Sequence, residues 1–351
     1  MEADCPRLSV ESFLQEPGPI IDVRSPGEFG QGHIPGARNL ALFSDEERAL
    51  VGTAYKQQGR AAAVGLGLEL VGPKLAELGR ALAGHQSDPD QSQEALRIHC
   101  WRGGMRSASI AWLAGVGDQP CLLLEGGYKA YRQWVLASLE QPRRLLLLSG
   151  RTGTGKTDLL LALRDQGQQV LDLEGLANHR GSSFGGLGQA PQPSNEHFEN
   201  ELASVLDGCR DDSWIWVEAE SAQVGRCRIP TPIWRQMQQA PTIEIQRPMV
   251  ERLERLVAVY GPHDRGELAE ATERISRRLG PQRTAIALGA IATGNLQEAC
   301  GQMLDYYDRC YDHELARRQQ PALASLDLAG LDDQEASKQL LARALVATSH
   351  L

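Results

Sequence analysis

Residues 145–163 constrain the fold of this chain more than any other stretch. Four leucines and a serine (145–149) are followed by Gly150-Arg151-Thr152-Gly153-Thr154-Gly155-Lys156-Thr157 and then by the apolar-rich run 158–163. A short, wholly apolar run reads as a strand buried on both faces, which belongs in a parallel sheet covered by helices. The eight residues after it match G-x-x-x-x-G-K-[ST] at every fixed position, and a helical pattern follows, the context that the motif requires. Glycines permit the tight turn, and the backbone N–H groups at the start of the helix form an anion site. Gly150, Thr152, Gly153, Thr154, Gly155, Lys156 and Thr157 are thus the candidates for binding a di- or triphosphate. Lys156 would reach the terminal phosphate, and Thr157 would ligate Mg²⁺ if a metal is bound. An acid should end a later apolar strand; residues 214–221 offer Glu218 or Glu220, though neither is the usual aspartate.

About fifty residues upstream, His99-Cys100-Trp101-Arg102-Gly103-Gly104-Met105-Arg106-Ser107 places a cysteine at the end of a strand-like run, 94–100. A thiolate is the nucleophilic form of cysteine, and positive potential stabilises it. Loop amides, a helix start near Ser107, and Arg102 or Arg106 would supply that potential. Cys100, Arg102 and Arg106 are accordingly the catalytic candidates. An inert buried cysteine would not require two glycines and two arginines in the next six residues.

With 351 residues, 42% hydrophobic and 23% charged, the chain has the make-up of a globular protein of roughly two domains. No run is long and apolar enough to cross a bilayer, and residues 1–7 lack the apolar core of a secretory leader. The seven cysteines are scattered, without C-x-x-C spacing, which suits a reducing cytoplasm. Strand signals at 19–24, 94–100 and 121–125 alternate with helical ones. The polar seam Gln141-Pro142-Arg143-Arg144 then divides residues 1–141 from a second α/β domain, 142–247. From 248 to 351 the pattern is mainly helical, without a clear strand, and this region is expected to complete the second domain. Residues 178–195 read as a long loop. Upstream of it, Glu174, and within it, Arg180, are positioned to grip a diphosphate or line a second pocket.

Net charge is −9, yet residues 247–283 carry eight arginines against six acids. Arg247, Arg252, Arg255, Arg274, Arg277 and Arg278 are candidates for contact with a nucleic-acid backbone, against the plainer reading of an ion-paired helix face.

Residues 22–29 (DVRSPGEF) with 32–37 (GHIPGA) resemble the opening signature of rhodanese (sulfurtransferase) domains. That resemblance implies that Asp22 and Arg24 brace the strand ends near the reactive loop, and His33 is more readily scaffold than chemistry. Many rhodanese loops read C-x4-R, whereas five residues separate Cys100 from Arg106. His-Cys-x5-Arg-Ser also resembles the cysteine-dependent phosphatases, and the wider cradle suits either phosphate or a phosphoryl-bearing chalcogen donor.

Taken together, residues 51–60, 99–107, 125–129, 150–157, 172–185 and 218–230 are similar to the tRNA 2-selenouridine synthase family over nearly the whole chain. The resemblance implies an α/β protein with an N-terminal rhodanese-like parallel-sheet domain, a P-loop NTPase-like domain and a helical C-terminal region. It further implies replacement of sulfur by selenium in wobble-position 2-thiouridine of tRNA. Geranyl diphosphate and selenophosphate would be substrates, no tightly bound cofactor is expected, and Mg²⁺ is allowed. Cys100 would carry selenium, and the 150–157 loop would hold the geranyl diphosphate. The implied partners are tRNA and a selenophosphate-producing enzyme, in the cytoplasm, with no membrane. Two alternatives stay open: a phosphatase or sulfurtransferase fused to an NTPase, and a nucleotide-switched sulfur carrier without turnover.

Overall fold

The computed structural model describes residues 5–84, 94–315 and 321–350, with no account of the side chains of 313–315. Residues 1–4, part of the stretch on which the leader argument rests, lie outside the described residues. The chain divides into two compact units: residues up to Ser138 together with Glu199–Ser204, and Leu139–Phe198 together with Val205 onward.

In the first unit the elements run β1 (Arg7–Leu8), α1 (Val10–Gln15), β2 (Ile20–Asp22), α2 (Pro26–Gln31), β3 (Arg38–Asn39), α3 (Asp45–Gln58), α4 (Arg60–Val71), α5 (Leu75–Gly84), β4 (Leu96–His99), α6 (Met105–Val116), β5 (Cys121–Leu124) and α7 (Gly127–Glu140). The five strands form one parallel sheet in the order β1-β5-β4-β2-β3. Ile21, Val23, Leu96, Ile98 and Leu123 fill its core against Ile110 and Ala114 of α6. Asp22 lies opposite His99 in the β2–β4 register, so both strands end at one edge, where Cys100 follows.

The second unit begins with β6 (Leu145–Ser149), buried at all five positions, then α8 (Lys156–Asp165), β7 (Gln169–Leu171), α9 (Leu173–Leu176) and α10 (Asn195–Asp207). Next come β8 (Ile215–Glu218), the antiparallel pair β9 (Gln223–Val224) and β10 (Cys227–Arg228), α11 (Thr231–Gln239) and β11 (Thr242–Gln246). Six helices and a strand complete it: α12 (Met249–Tyr260), α13 (Arg265–Arg274), α14 (Ser276–Leu279), α15 (Pro281–Thr293), α16 (Leu296–Leu315), β12 (Ala324–Asp327) and α17 (Asp333–Thr348). Its sheet is parallel, in the order β12-β11-β6-β8-β7. The crevice at the carboxyl end of β6 is where such sheets bind ligands.

β12 corrects the expectation of a strandless C-terminal region. It is four residues long, alternates buried and exposed positions and lies at a sheet edge. Its pairing with β11 over Ile243–Gln246, rather than any run of β-formers, makes it a strand. A separate apolar core joins Phe184 to Leu268, Ala271, Ile275, Ile291 and Met303, so α13, α15 and α16 pack on the 178–195 loop.

Candidate thiolate and phosphate sites

Cys100 leaves β4 with its side chain buried, and its Sγ lies 3.3 Å from Ser107 Oγ at the start of α6. That hydroxyl also reaches Gly104 O at 3.1 Å. The loop is pinned by backbone: Tyr128 N donates to Cys100 O (2.8 Å) and Lys129 N to Trp101 O (2.9 Å). Gly103 has φ +64, and a Cβ there would stand 2.7 Å from Leu124 O, so only glycine fits this turn. Arg7 Nη1 donates to Gly103 O at 2.6 Å, a brace that the motif did not reveal.

Of the two loop arginines, Arg102 is exposed. Arg106 is engaged elsewhere than the cradle reading placed it: Nη1 donates to Glu28 Oε2 at 2.7 Å. Glu28 also accepts from Ser25 N (3.1 Å) and so ties α6 to the start of α2. Burial raises the Glu28 acid, but the bonds from Arg106 and Ser25 outweigh it and hold the carboxyl below its ordinary range.

Asp22, Arg24 and His99 are buried together. Arg24 Nη2 donates to Asp22 Oδ2 (2.6 Å) and to Gly32 O (2.7 Å), and the guanidinium lies 3.7 Å over the Tyr128 ring. Burial drives His99 down to about 4 despite Asp22 at 3.7 Å, so this ring is neutral at pH 7. His33 stacks on Phe29, 3.8 Å between ring centres, with Nδ1 3.0 Å from Phe29 O. All three of Asp22, Arg24 and His33 thus sit in the frame around the loop.

In the second unit the phosphate loop joins β6 to α8. Gly155 is left-handed (φ +85) and Gly153 likewise (φ +81), where a Cβ would meet Arg252 O at 2.9 Å. Lys156 Nζ donates to Gly150 O (2.9 Å) and stands 3.3 Å from Glu218 Oε1. Thr157 Oγ1 donates to Glu174 Oε2 (2.9 Å) and lies 3.2 Å from Glu218 Oε2. Glu174, Glu218 and Glu220 each offer an oxygen within 4.8 Å of the others. Burial, then the charges of Glu218 and Glu220, push the Glu174 acid up to about 9. Burial works to lower Lys156, yet the same three carboxylates hold it above the usual amine range. Hard oxygen donors with one acid kept protonated form a set that fits a small divalent cation beside a phosphate. Arg180 is exposed on its loop, within electrostatic range of Asp158 and Tyr260.

The six arginines proposed for nucleic acid do not share one surface. Arg247 and Arg252 are buried, which corrects their assignment to a contact face. Arg247 Nε donates to Thr154 O (3.1 Å) and Nη1 to Leu328 O (2.9 Å). Arg252 Nε donates to Thr152 O (2.8 Å), and the guanidinium forks onto Asp308. Arg255 is half-buried and pairs with Asp158 at 3.0 Å and with Asp333. Held this way, the loop carbonyls of residues 152 and 154 point toward α12. Sequence charge counts could not separate these bracing arginines from exposed Arg274, Arg277 and Arg278.

A cysteine on a glycine loop at the carboxyl end of a parallel sheet, followed by a phosphate loop on a second parallel sheet, defines a rhodanese-type domain fused to a P-loop domain. A family model described as the tRNA 2-selenouridine synthase AAA domain matches residues 143–339, and one described as a rhodanese-like domain matches 9–133. The tRNA 2-selenouridine synthase of Marinobacter nauticus is 36% identical over 337 residues, covering 86% of this chain and 89% of that protein. That of Pseudomonas putida strain GB-1 is 35% identical over 385 residues, covering 98% of each. That of Shewanella denitrificans is 35% identical over 365 residues, covering 93% and 96%. The chain belongs to the tRNA 2-selenouridine synthase family.

Proposed function

We propose that this protein converts wobble-position 2-thiouridine of tRNA into 2-selenouridine through an S-geranylated intermediate. Geranyl diphosphate and selenophosphate are the substrates. What supports the reading most is one chain that carries both the Cys100 loop and the phosphate loop, aligned nearly end to end with relatives named tRNA 2-selenouridine synthase.

The phosphate loop takes the diphosphate of geranyl diphosphate. The nucleoside sulfur attacks the allylic carbon, the carbon–oxygen bond breaks, and its electron pair leaves on diphosphate. Charge grows where the loop amides and Lys156 already point, so the loop stabilises the transition state more than the ground state. A divalent cation, where bound, would be held by the Thr157 hydroxyl with Glu174, Glu218 and Glu220, and would neutralise part of the diphosphate charge. Arg180 meets a phosphate oxygen. Alkylation converts the C2 sulfur into a leaving group: selenium of selenophosphate adds at C2, the C2–S bond breaks, and the sulfur takes up a proton and departs as geranylthiol. Water then attacks phosphorus, the selenium–phosphorus bond breaks with its electron pair on selenium, and phosphate leaves. Cys100 handles the selenium donor, and its five-residue loop accommodates a phosphoryl-bearing one. Arg102, exposed beside it, supplies positive potential. Exposed Arg274, Arg277 and Arg278 contact the tRNA backbone, whose charge and shape dominate affinity. An enzyme that makes selenophosphate is the partner reaction, and the cytoplasm the compartment.

The test is reconstitution of the purified protein with 2-thiouridine tRNA, geranyl diphosphate and selenophosphate, read by nucleoside mass spectrometry. 2-Selenouridine is the expected product. Hydrolysis of an aryl phosphate without tRNA, lost in Cys100→Ser, would establish the phosphatase alternative instead. Tight ATP or GTP binding with no modified nucleoside would establish the carrier alternative.

A further inference from the structure

The second unit contains an apolar pocket that the reading above leaves unused. It is lined by Thr152 of the phosphate loop, Leu256 of α12, Leu268 of α13, Ile291 of α15, and Cys300 and Met303 of α16, with other apolar neighbours. Its empty volume is about 510 Å³, counting the space open at its mouth. α16 presents the wall over three turns, from Leu296 to Tyr307.

One end of that wall is fixed by hydrogen bonds. Tyr307 precedes Asp308, Asp308 pairs with Arg252 at 3.0 Å, and Arg252 donates to Thr152 O at 2.8 Å. The pocket therefore begins at the phosphate loop and runs along α16 toward Leu296, roughly 16 Å away at 1.5 Å per residue. Three of the four hydroxyls on its lining have local partners. Ser182 Oγ lies 3.3 Å from Tyr260 Oη, and Tyr307 Oη accepts from Ser183 N at 3.3 Å. Among the described residues, the lining includes no carboxylate, carboxamide or cation. A nucleotide base would bury its ring donors and acceptors there without partners, at a cost of a few kcal/mol. A hydrocarbon would bury nothing polar and would gain from every carbon removed from water.

Building on the proposed function, we infer that this pocket holds the hydrocarbon tail of the allylic diphosphate, and that Cys300 and Met303 set the length of tail accepted. Both side chains are buried on the inner face of α16, one turn apart, between the phosphate end and Leu296. Burial pushes the Cys300 thiol up to about 11, so it lines the pocket as a small neutral group and not as a nucleophile. Adding volume at 300 should close the far part of the pocket, and removing it at 303 should open more.

Calorimetric binding to the full-length protein tests this with inorganic pyrophosphate, ATP, and allylic diphosphates of one, two and three isoprene units. The two-unit compound is expected to bind at least about a hundredfold more tightly than pyrophosphate, from burial of its tail. Cys300→Phe should remove most of that advantage for two units while sparing one unit. Met303→Ala should move the preference toward three units. Pyrophosphate binding, unchanged in both, reports that the loop remains folded; should Cys300→Phe lose it, Met303→Ala decides alone. If the wild type favours the two-unit tail but Met303→Ala leaves the length profile unaltered, the tail lies elsewhere. That result overturns the pocket assignment and leaves the substrate reading intact. If no allylic diphosphate binds more tightly than pyrophosphate and ATP displaces both, the substrate reading falls and the pocket assignment with it.

Discussion

The two loops of this protein differ in how much charge holds them. The Cys100 loop is pinned mostly by backbone: Cys100 O and Trp101 O accept from the first turn of α7, the Sγ has a hydroxyl, Ser107, beside it, and one cation, Arg7, braces Gly103 O. The phosphate loop is held by charge: Arg247 and Arg252 take its carbonyls, and three glutamates converge on Lys156 and Thr157. In the first arrangement charge enters only at the margin, through Arg7 on Gly103 O and through Arg106 paired with Glu28. The second keeps Glu174 protonated near neutrality because burial, and then the charges of Glu218 and Glu220, disfavour its ionised form. A site of that kind is arranged for the charges of its ligands, whereas the cysteine loop is arranged around one side chain.

The largest expected effect separates the loops outright. Cys100→Ala should lower selenation by roughly a thousandfold or more, the scale of a lost catalytic group, with S-geranylation retained. Lys156→Ala should do the converse. Geranylation should fall by roughly a hundred- to a thousandfold, as for loss of a transition-state donor, while pre-geranylated tRNA is still selenated. Equal loss of both steps in either variant would mean that the loops do not divide the work.

Arg252→Leu sharpens the comparison at the level of stability. It leaves Asp308 without its forked partner and Thr152 O without its donor, which should cost the second unit about 3–5 kcal/mol. Urea unfolding followed by Trp fluorescence and by limited proteolysis should show the loss in that unit, with the rhodanese-type unit unchanged. An unaltered profile would show that the buried arginine braces nothing.

The pH dependence follows from Glu174. Its acid titrates near 4.5 ordinarily and near 9 in the folded protein without metal. Between those values the unfolded chain has released the proton and the folded one retains it, so stability falls as pH rises through that window. Glu174→Gln should flatten the fall. Mg²⁺ affinity should rise up to about tenfold per pH unit until near pH 9, because binding expels the proton. Proton release measured by calorimetry in two buffers checks the sign, and uptake or no exchange would contradict it. The smallest effect is Ser107→Ala, expected to slow alkylation of Cys100 by iodoacetamide several-fold near neutrality through loss of one neutral hydrogen bond.

Much of this was legible where local chemistry and fold demand the same residue. Residues 145–163 announced strand, loop and helix because glycine at 153 and 155 and leucine in β6 each have one structural use. The strand ending at Cys100 was equally plain. Legibility failed where a side chain's role depends on distant sequence. Arg247 and Arg252 look like surface cations until Thr154 O, Thr152 O and Asp308 are brought to them. Arg106 looks like a cradle arginine until Glu28, 78 residues away, takes it. β12 carries too few β-formers to announce itself without β11. The apolar pocket is invisible for the same reason: the periodicity of α13, α15 and α16 marks core positions but not the space left between them.

The central claim is that the two loops perform separate chemical steps on one nucleoside. Nucleosides from 2-thiouridine tRNA incubated with Cys100→Ala protein, geranyl diphosphate and selenophosphate test it most directly. Accumulation of S-geranyl-2-thiouridine, with 2-selenouridine absent, is the predicted result. Unmodified 2-thiouridine, or selenouridine at the wild-type level, would contradict it.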